Sequence, residues 1–137
     1  ISCNHMNKII IVSGPVIVED NKVLLDQHGD TTFWKFCGGR VEDFDLGLLE
    51  TARREAREEM GANLEILDPQ PFFLYTAKET AAGHIEVILV HYLAQTKDEI
   101  RPGADIREWA WLDIADIAQE DLAPNIMPTL RHFGFIK

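Results

Sequence analysis

Glu55, Glu58 and Glu59 stand at i, i+3 and i+4 within a run of helix formers, roughly Leu46–Met60. Helical geometry puts their three carboxylates on a single face, close enough to repel one another. Hard oxygen ligands at this spacing collect Mg²⁺ or Mn²⁺, whose charge offsets the repulsion and bridges to phosphate oxygens of a bound molecule. The plainer alternative is a solvated helix face balanced by Arg53, Arg54 and Arg57, the commoner meaning of a charge run. Composition alone does not choose. The pair Gly38-Gly39 lies just upstream, where missing side chains let the backbone approach a metal or a pyrophosphate closely.

These residues need a scaffold. Leu49, Ala52, Ala56 and Met60 fall in one narrow helical arc and form the stripe expected to pack on a sheet, with the glutamates roughly opposite. Asp45 is positioned to cap the helix N-terminus, and Gly61 can take the left-handed conformation that closes the other end. Upstream, the β-branched run Lys8–Val18 and the apolar Val23-Leu24-Leu25 read as two strands joined by a turn at Glu19-Asp20-Asn21. Pro15 lacks a backbone donor, so the first strand should break, bulge or lie at an edge there. His28-Gly29-Asp30 reads as a loop.

Downstream, Leu64–Leu67, Phe72–Thr76, Glu86–Ala94 and Trp109–Leu112 are strand candidates. Glu86–Ala94 carries apolar residues on both alternating faces, which suits the middle of a sheet covered by a second layer. Asp116–Asp121 and Asn125–Phe133 read as helices, the second despite Pro128. Strands alternating with helices, with no repeat or linker between them, indicate an α/β layered domain.

The length of 137 residues suits a single domain over 1–137, with Ile1–Asn7 expected to be a frayed or extraneous terminus. Thirteen basic and 23 acidic residues give a net charge of −10, which disfavours a broad grip on long nucleic acid. Two cysteines, Cys3 and Cys37, do not make a disulfide scaffold and point to a reducing compartment, read as the cytoplasm. No apolar run is long enough to span a bilayer, and no signal-peptide pattern is present. Cys37 reads as a packed thiol, His84 as a structural histidine beside Glu86, and Trp34 and Phe36 as core aromatics that could alternatively stack on a base.

Gly38-Gly39-Arg40-Val41-Glu42, an acidic loop, and then Arg54-Glu55-Ala56-Arg57-Glu58-Glu59-Met60-Gly61-Ala62 resemble the Nudix box of the Nudix hydrolase family. The chain departs from that box in a few places. Asp45 stands where the family has Glu, eight residues rather than seven separate it from Arg54, and Cys37 replaces a common proline. We place the extra residue in the loop Asp43–Gly47. Ala56 and Ala62 are small for aliphatic slots. A Trp before the glycines and the segment Glu108–Asp113 before a C-terminal helix extend the resemblance over most of the chain.

The resemblance implies an α/β/α sandwich with a mixed β-sheet between helices. It also implies Mg²⁺-dependent (or Mn²⁺-dependent) hydrolysis of a phosphoanhydride in a nucleoside diphosphate linked to another moiety. Glu55, Glu58 and Glu59 match the metal-binding and catalytic glutamates, the Gly38 carbonyl a further metal contact, and Arg54 the arginine that orients the first glutamate. Glu108 resembles a downstream acidic position that serves as base in some members, with Glu79, Glu86, Asp98, Glu99 and Asp105 as competitors. The implied partner is a nucleotide-derived small molecule, and homodimers are common among relatives. The alternative is a nucleotide-sensing module without turnover, which would be expected to lose box glutamates. Hydrolysis at RNA 5′ ends is disfavoured by the net charge. Base and leaving group are not legible.

Overall fold

The computed structural model describes residues 8–137, so the expectations for Ile1–Asn7, Cys3 included, lie outside the described residues. The elements run β1 (Lys8–Glu19), β2 (Lys22–His28), β3 (Gly39–Arg40), α1 (Leu48–Met60), β4 (Glu65–Ile66), β5 (Phe72–Thr80), β6 (Gly83–Gln95), β7 (Ile106–Asp113), a 3₁₀ segment (Ile114–Gln119) and α2 (Ile126–His132). Among the described residues no helix is long and apolar enough to cross a membrane.

β1 is the strand around which the sheet assembles. It runs parallel to β6 from Lys8↔Ile85 to Ile17↔Ala94, and turns into β2 as an antiparallel hairpin. The two turn residues, Asp20 and Asn21, both take positive φ (50° and 60°), the twist-matched geometry that short polar side chains tolerate. β2 pairs with β7, β3 with β1, and both β4 and β5 with β6, all antiparallel, giving a mixed sheet. Pro15 neither breaks nor bulges β1. It pairs opposite Tyr92, in the interval between the β3 ladder at Val12–Ser13 and the β2 ladder at Val18–Glu19. One flank of the strand is unpaired there, so no ladder on that side needs the missing donor.

Alternation along β1 and β2 sends side chains to two cores. Ile17 and Leu24 meet Ala56, Met60, Leu64 and Ala94 beneath α1. Val16, Val18, Val23 and Leu25 meet Ile114, Ile117, Ile126 and Leu130 beneath the 3₁₀ segment and α2. The fold is thus α/β/α, each apolar side chain of this size contributing about 1.5–3 kcal/mol by leaving water. Pro128 is the third residue of α2, within the first turn, where its absent N–H would have no helical acceptor. The Asp116–Asp121 segment is 3₁₀ rather than α-helix, starting at Ile114 with the Asp113 carboxylate accepting from the Ala115 amide. Coverage of β6 is incomplete. Val90, Tyr92 and Ala94 are buried against α1, but the preceding half is only half-buried, and Ile9, Phe73 and Tyr75 on the neighbouring strands are exposed.

Candidate functional site

Helix α1 starts at Leu48, with Gly47 rather than Asp45 as its N-terminal boundary residue and no side-chain cap. Asp45 is engaged elsewhere. Its two oxygens accept from Arg54 Nε and Nη2 at 2.9 and 3.0 Å, a bidentate fork, and Oδ2 also takes the Glu42 amide and the Thr51 hydroxyl. These donors, the guanidinium first, hold the Asp45 carboxyl well below the usual carboxylate range. Arg54 in turn donates to the Arg40 carbonyl and to Glu58 Oε2 at 3.1 Å, and lies 3.5 Å from Glu55 Oε1. A carboxylate in the enlarged loop therefore fixes the arginine, and the arginine reaches two of the three helix glutamates.

The glutamates do not lie opposite the apolar stripe. Ala52, Ala56 and Met60 are fully buried, Glu55 is buried beside them, and Glu58 alone is largely exposed. The glycines explain this. A Cβ on Gly39 would sit 2.1 Å from Glu55 Oε1, so only glycine leaves room for that carboxylate. The Gly38 amide donates to Glu59 Oε1 at 2.9 Å. Burial, reinforced by the Glu59 charge, pushes the Glu55 carboxyl up to about 7. Gly61 closes the helix at φ 63°, its amide bonded to the Arg57 carbonyl.

β2 contributes two residues that the sequence reading did not select. Asp26 is fully buried and His28 partly so, and period-2 geometry puts both on the α1 side of the strand. His28 Nε2 lies 3.1 Å from Asp26 Oδ1 and 3.0 Å from Glu59 Oε2. Burial, with the Glu59 charge adding, raises the Asp26 carboxyl to about 7, and burial lowers the His28 imidazole. The available signal was an acid directly after the apolar run Val23-Leu24-Leu25, since a buried polar residue is more informative than an exposed apolar one.

Glu108 is not brought to this cluster. It pairs across the ladder from Gln27, hence on the face opposite Asp26, and is exposed beside Arg107. Among its competitors, Glu79 pairs with His84 at 2.6 Å, Glu86 accepts from the Tyr75 hydroxyl, and Asp98 from the Asn63 amide. Cys37 is a buried free thiol that donates to the Glu55 carbonyl and is pushed upward chiefly by burial.

A cleft of about 410 Å³ opens beside Gly38 on the α2 side of the sheet. Phe36, Val87 and Leu89 line it with Lys35, Lys78 and Asn125. Phe36 is mainly a core residue, edge-on to His91 at 5.5 Å. His91 is nearly inaccessible. Its Nδ1 lies 3.1 Å from the Phe72 carbonyl and its Nε2 2.9 Å from Asn125 Nδ2, which fixes the neutral tautomer with the proton on Nδ1. Burial lowers this imidazole to about 4. The unfolded chain therefore binds a proton between pH 6.5 and 4 that the native state refuses, and stability falls as the solution is acidified through that window. We expect His91→Gln to remove about 3 kcal/mol of this acid dependence, read as the difference between the two proteins' urea-unfolding free energies across pH 4–7.

A family model, the NUDIX domain, matches residues 9–133. A search of curated proteins finds no match. Among solved structures, a NUDIX hydrolase from Nitrosomonas europaea superposes with a TM-score of 0.74 at 18% identity, covering 92% of this chain and 88% of that one. A MutT NUDIX hydrolase from Burkholderia pseudomallei gives 0.72 at 22% identity, covering 91% and 98%. A C. elegans Ap4A hydrolase, solved as a binary complex, gives 0.71 at 20% identity, covering 90% and 94%. At these identities the structures speak for the fold, and the domain match for the lineage. The chain belongs to the Nudix family, hydrolases that act on pyrophosphate bonds and in general on nucleoside diphosphate derivatives.

Proposed function

We propose that this chain is a Mg²⁺-dependent (or Mn²⁺-dependent) pyrophosphohydrolase that cleaves the phosphoanhydride of a nucleoside diphosphate linked to another moiety. The observation that carries the reading is the meeting of Glu55 with Gly39 and of Glu59 with Gly38, the latter glycine also lining the cleft. The residues fit a divalent cation. They are hard oxygen donors, and Gly39 keeps the space over Glu55 open. Glu55, Glu58, Glu59 and the Gly38 carbonyl would hold the ion, which supplies Lewis-acid polarisation of the phosphorus and a more acidic bound water.

The chain's own residues do the rest. Asp45 holds Arg54, and Arg54 keeps Glu55 and Glu58 oriented against their mutual repulsion. Lys35 and Lys78 supply positive charge within an otherwise acidic protein, suited to phosphate oxygens, while Phe36, Val87 and Leu89 offer the nucleoside an apolar wall. We assign the proton acceptor to the box glutamates rather than to Glu108, which faces away. The retention of all three glutamates favours turnover over a sensing module. A free buried Cys37 is consistent with the proposed cytoplasmic setting.

Nucleoside diphosphate and triphosphate derivatives, each incubated with Mg²⁺ and analysed for products, test this. Expected are phosphate-containing fragments of at least one compound, their loss on chelation, and weak competition by long RNA. Metal-dependent binding of the whole panel without products would replace the proposal with the sensing module.

A further inference from the structure

We infer that Asp26 and His28 join Glu59 in a nitrogen-containing divalent-cation site, so that an ion held deep in this chain has an imidazole ligand and is preferentially Mn²⁺ or Co²⁺ rather than Mg²⁺. The inference deepens the metal part of the proposed function through residues outside the Nudix box, and shares only Glu59 with it.

Donor spacing is the first support. Asp26, His28 and Glu59 each offer one ligand atom, all within 4.8 Å of one another. His28 Nε2 is 3.1 Å from Asp26 Oδ1 and 3.0 Å from Glu59 Oε2. Adjacent ligands on an octahedral ion with bonds of about 2.1 Å are about 3.0 Å apart, so this spacing matches two edges of a coordination octahedron.

The second support is independent of spacing. Both Asp26 oxygens and His28 Nε2 are inaccessible to solvent and have no hydrogen-bond partner, although Asp26 is fully buried. A protonated imidazole bridging the two carboxylates would account for the distances only through a hydrogen bond from Nε2, and His28 Nε2 makes none. A cation placed between the three groups satisfies all of them at once, as buried polar groups require.

The scaffold holds these donors still. The Asp26 amide and carbonyl exchange hydrogen bonds with Lys35, both at 2.9 Å, while β7 pairs with the other side of β2. Glu59 comes from the rigid helix, its Oε1 tied to the Gly38 amide, which leaves Oε2 facing His28. Carboxylates with one imidazole suit first-row transition ions, whereas Mg²⁺ prefers an all-oxygen shell with retained water.

The test uses the whole chain and metal alone. Pulsed electron paramagnetic resonance of the Mn²⁺-loaded protein should show ¹⁴N coupling from a directly bound imidazole, and calorimetry should show Mn²⁺ binding at least about 10-fold tighter than Mg²⁺. His28→Gln should erase the nitrogen coupling and weaken Mn²⁺ by about 10-fold or more, and Asp26→Asn should weaken Mn²⁺ while the coupling persists. If His28→Gln does not fold, the wild-type spectrum decides alone. Bound Mn²⁺ without nitrogen coupling, or coupling that survives in folded His28→Gln, overturns the inference and leaves the proposed hydrolysis standing. Nitrogen coupling in a protein that turns over no nucleotide derivative supports the site and overturns the proposed hydrolysis instead.

Discussion

Glu59→Gln should lower the turnover of any nucleotide substrate by about 10³-fold, which corresponds to about 4 kcal/mol of lost transition-state stabilisation. Both oxygens of Glu59 are committed, Oε1 to the Gly38 amide at 2.9 Å and Oε2 toward His28 at 3.0 Å. Glutamine can still accept from Gly38 with its carbonyl oxygen. The other position then becomes an N–H₂ group, which cannot ligate a cation. The same change should leave the metal-free protein at least as thermostable as wild type, because the Glu59 charge is among the influences that raise Asp26 and Glu55. Added Mg²⁺ or Mn²⁺ should raise the wild-type Tm, as any ligand selective for the native state does, and raise that of Glu59→Gln far less. Steady-state kinetics with melting curves in chelator and in metal check the pair of effects. A turnover loss below about 10-fold would remove Glu59 from the proposed metal set.

Gly14→Ala is expected to be the most damaging of the small substitutions, costing about 3 kcal/mol or more. A Cβ there would lie 2.1 Å from the Cys37 carbonyl oxygen and 2.7 Å from the Gly38 Cα. Both are backbone atoms, so no side chain can swing aside, and relief requires moving either β1 or the Cys37-Gly38 segment that precedes β3. Gly39→Ala makes an equally short contact, but with the Glu55 carboxylate, a flexible side-chain end. It should therefore spare most of the stability and damage the chemistry. Gly29→Ala provides the control. Its Cβ meets nothing within 4 Å, and only the positive φ of 40° opposes it, a cost of about 1–2 kcal/mol. Urea unfolding of the three variants should give the order Gly14 above Gly29, with Gly39→Ala distinguished by activity.

The helix bearing the glutamates, expected over roughly Leu46–Met60 and found at Leu48–Met60, was legible because its apolar spacing, its closing glycine and the box signature all agree. Its N-terminal boundary was not. Asp45 has the chemistry of a cap, but a bidentate arginine nine residues on outcompetes the helix amides for the same oxygens. The glutamate face was misjudged for a related reason. Helical spacing gives the angle between side chains but not how deeply the glycine strand overlies them, so Glu55 is buried. Asp26 and His28 were missed because their significance depends on which face of β2 lies under α1, which no local pattern specifies. Glu108 fails on the same parity: one step along a strand reverses the face. β3, two residues long, is made by its neighbours rather than by propensity.

The parallel pairing of β1 with β6 joins residues 77 positions apart along its whole length, as in Lys8↔Ile85 and Ile17↔Ala94. By contrast, the β1–β2 and β5–β6 hairpins and helix α1 close over short stretches and can form early. During synthesis β1 must therefore wait, that edge unpaired, until β6 has left the ribosome. Completion of the sheet is therefore the late, slow event of folding.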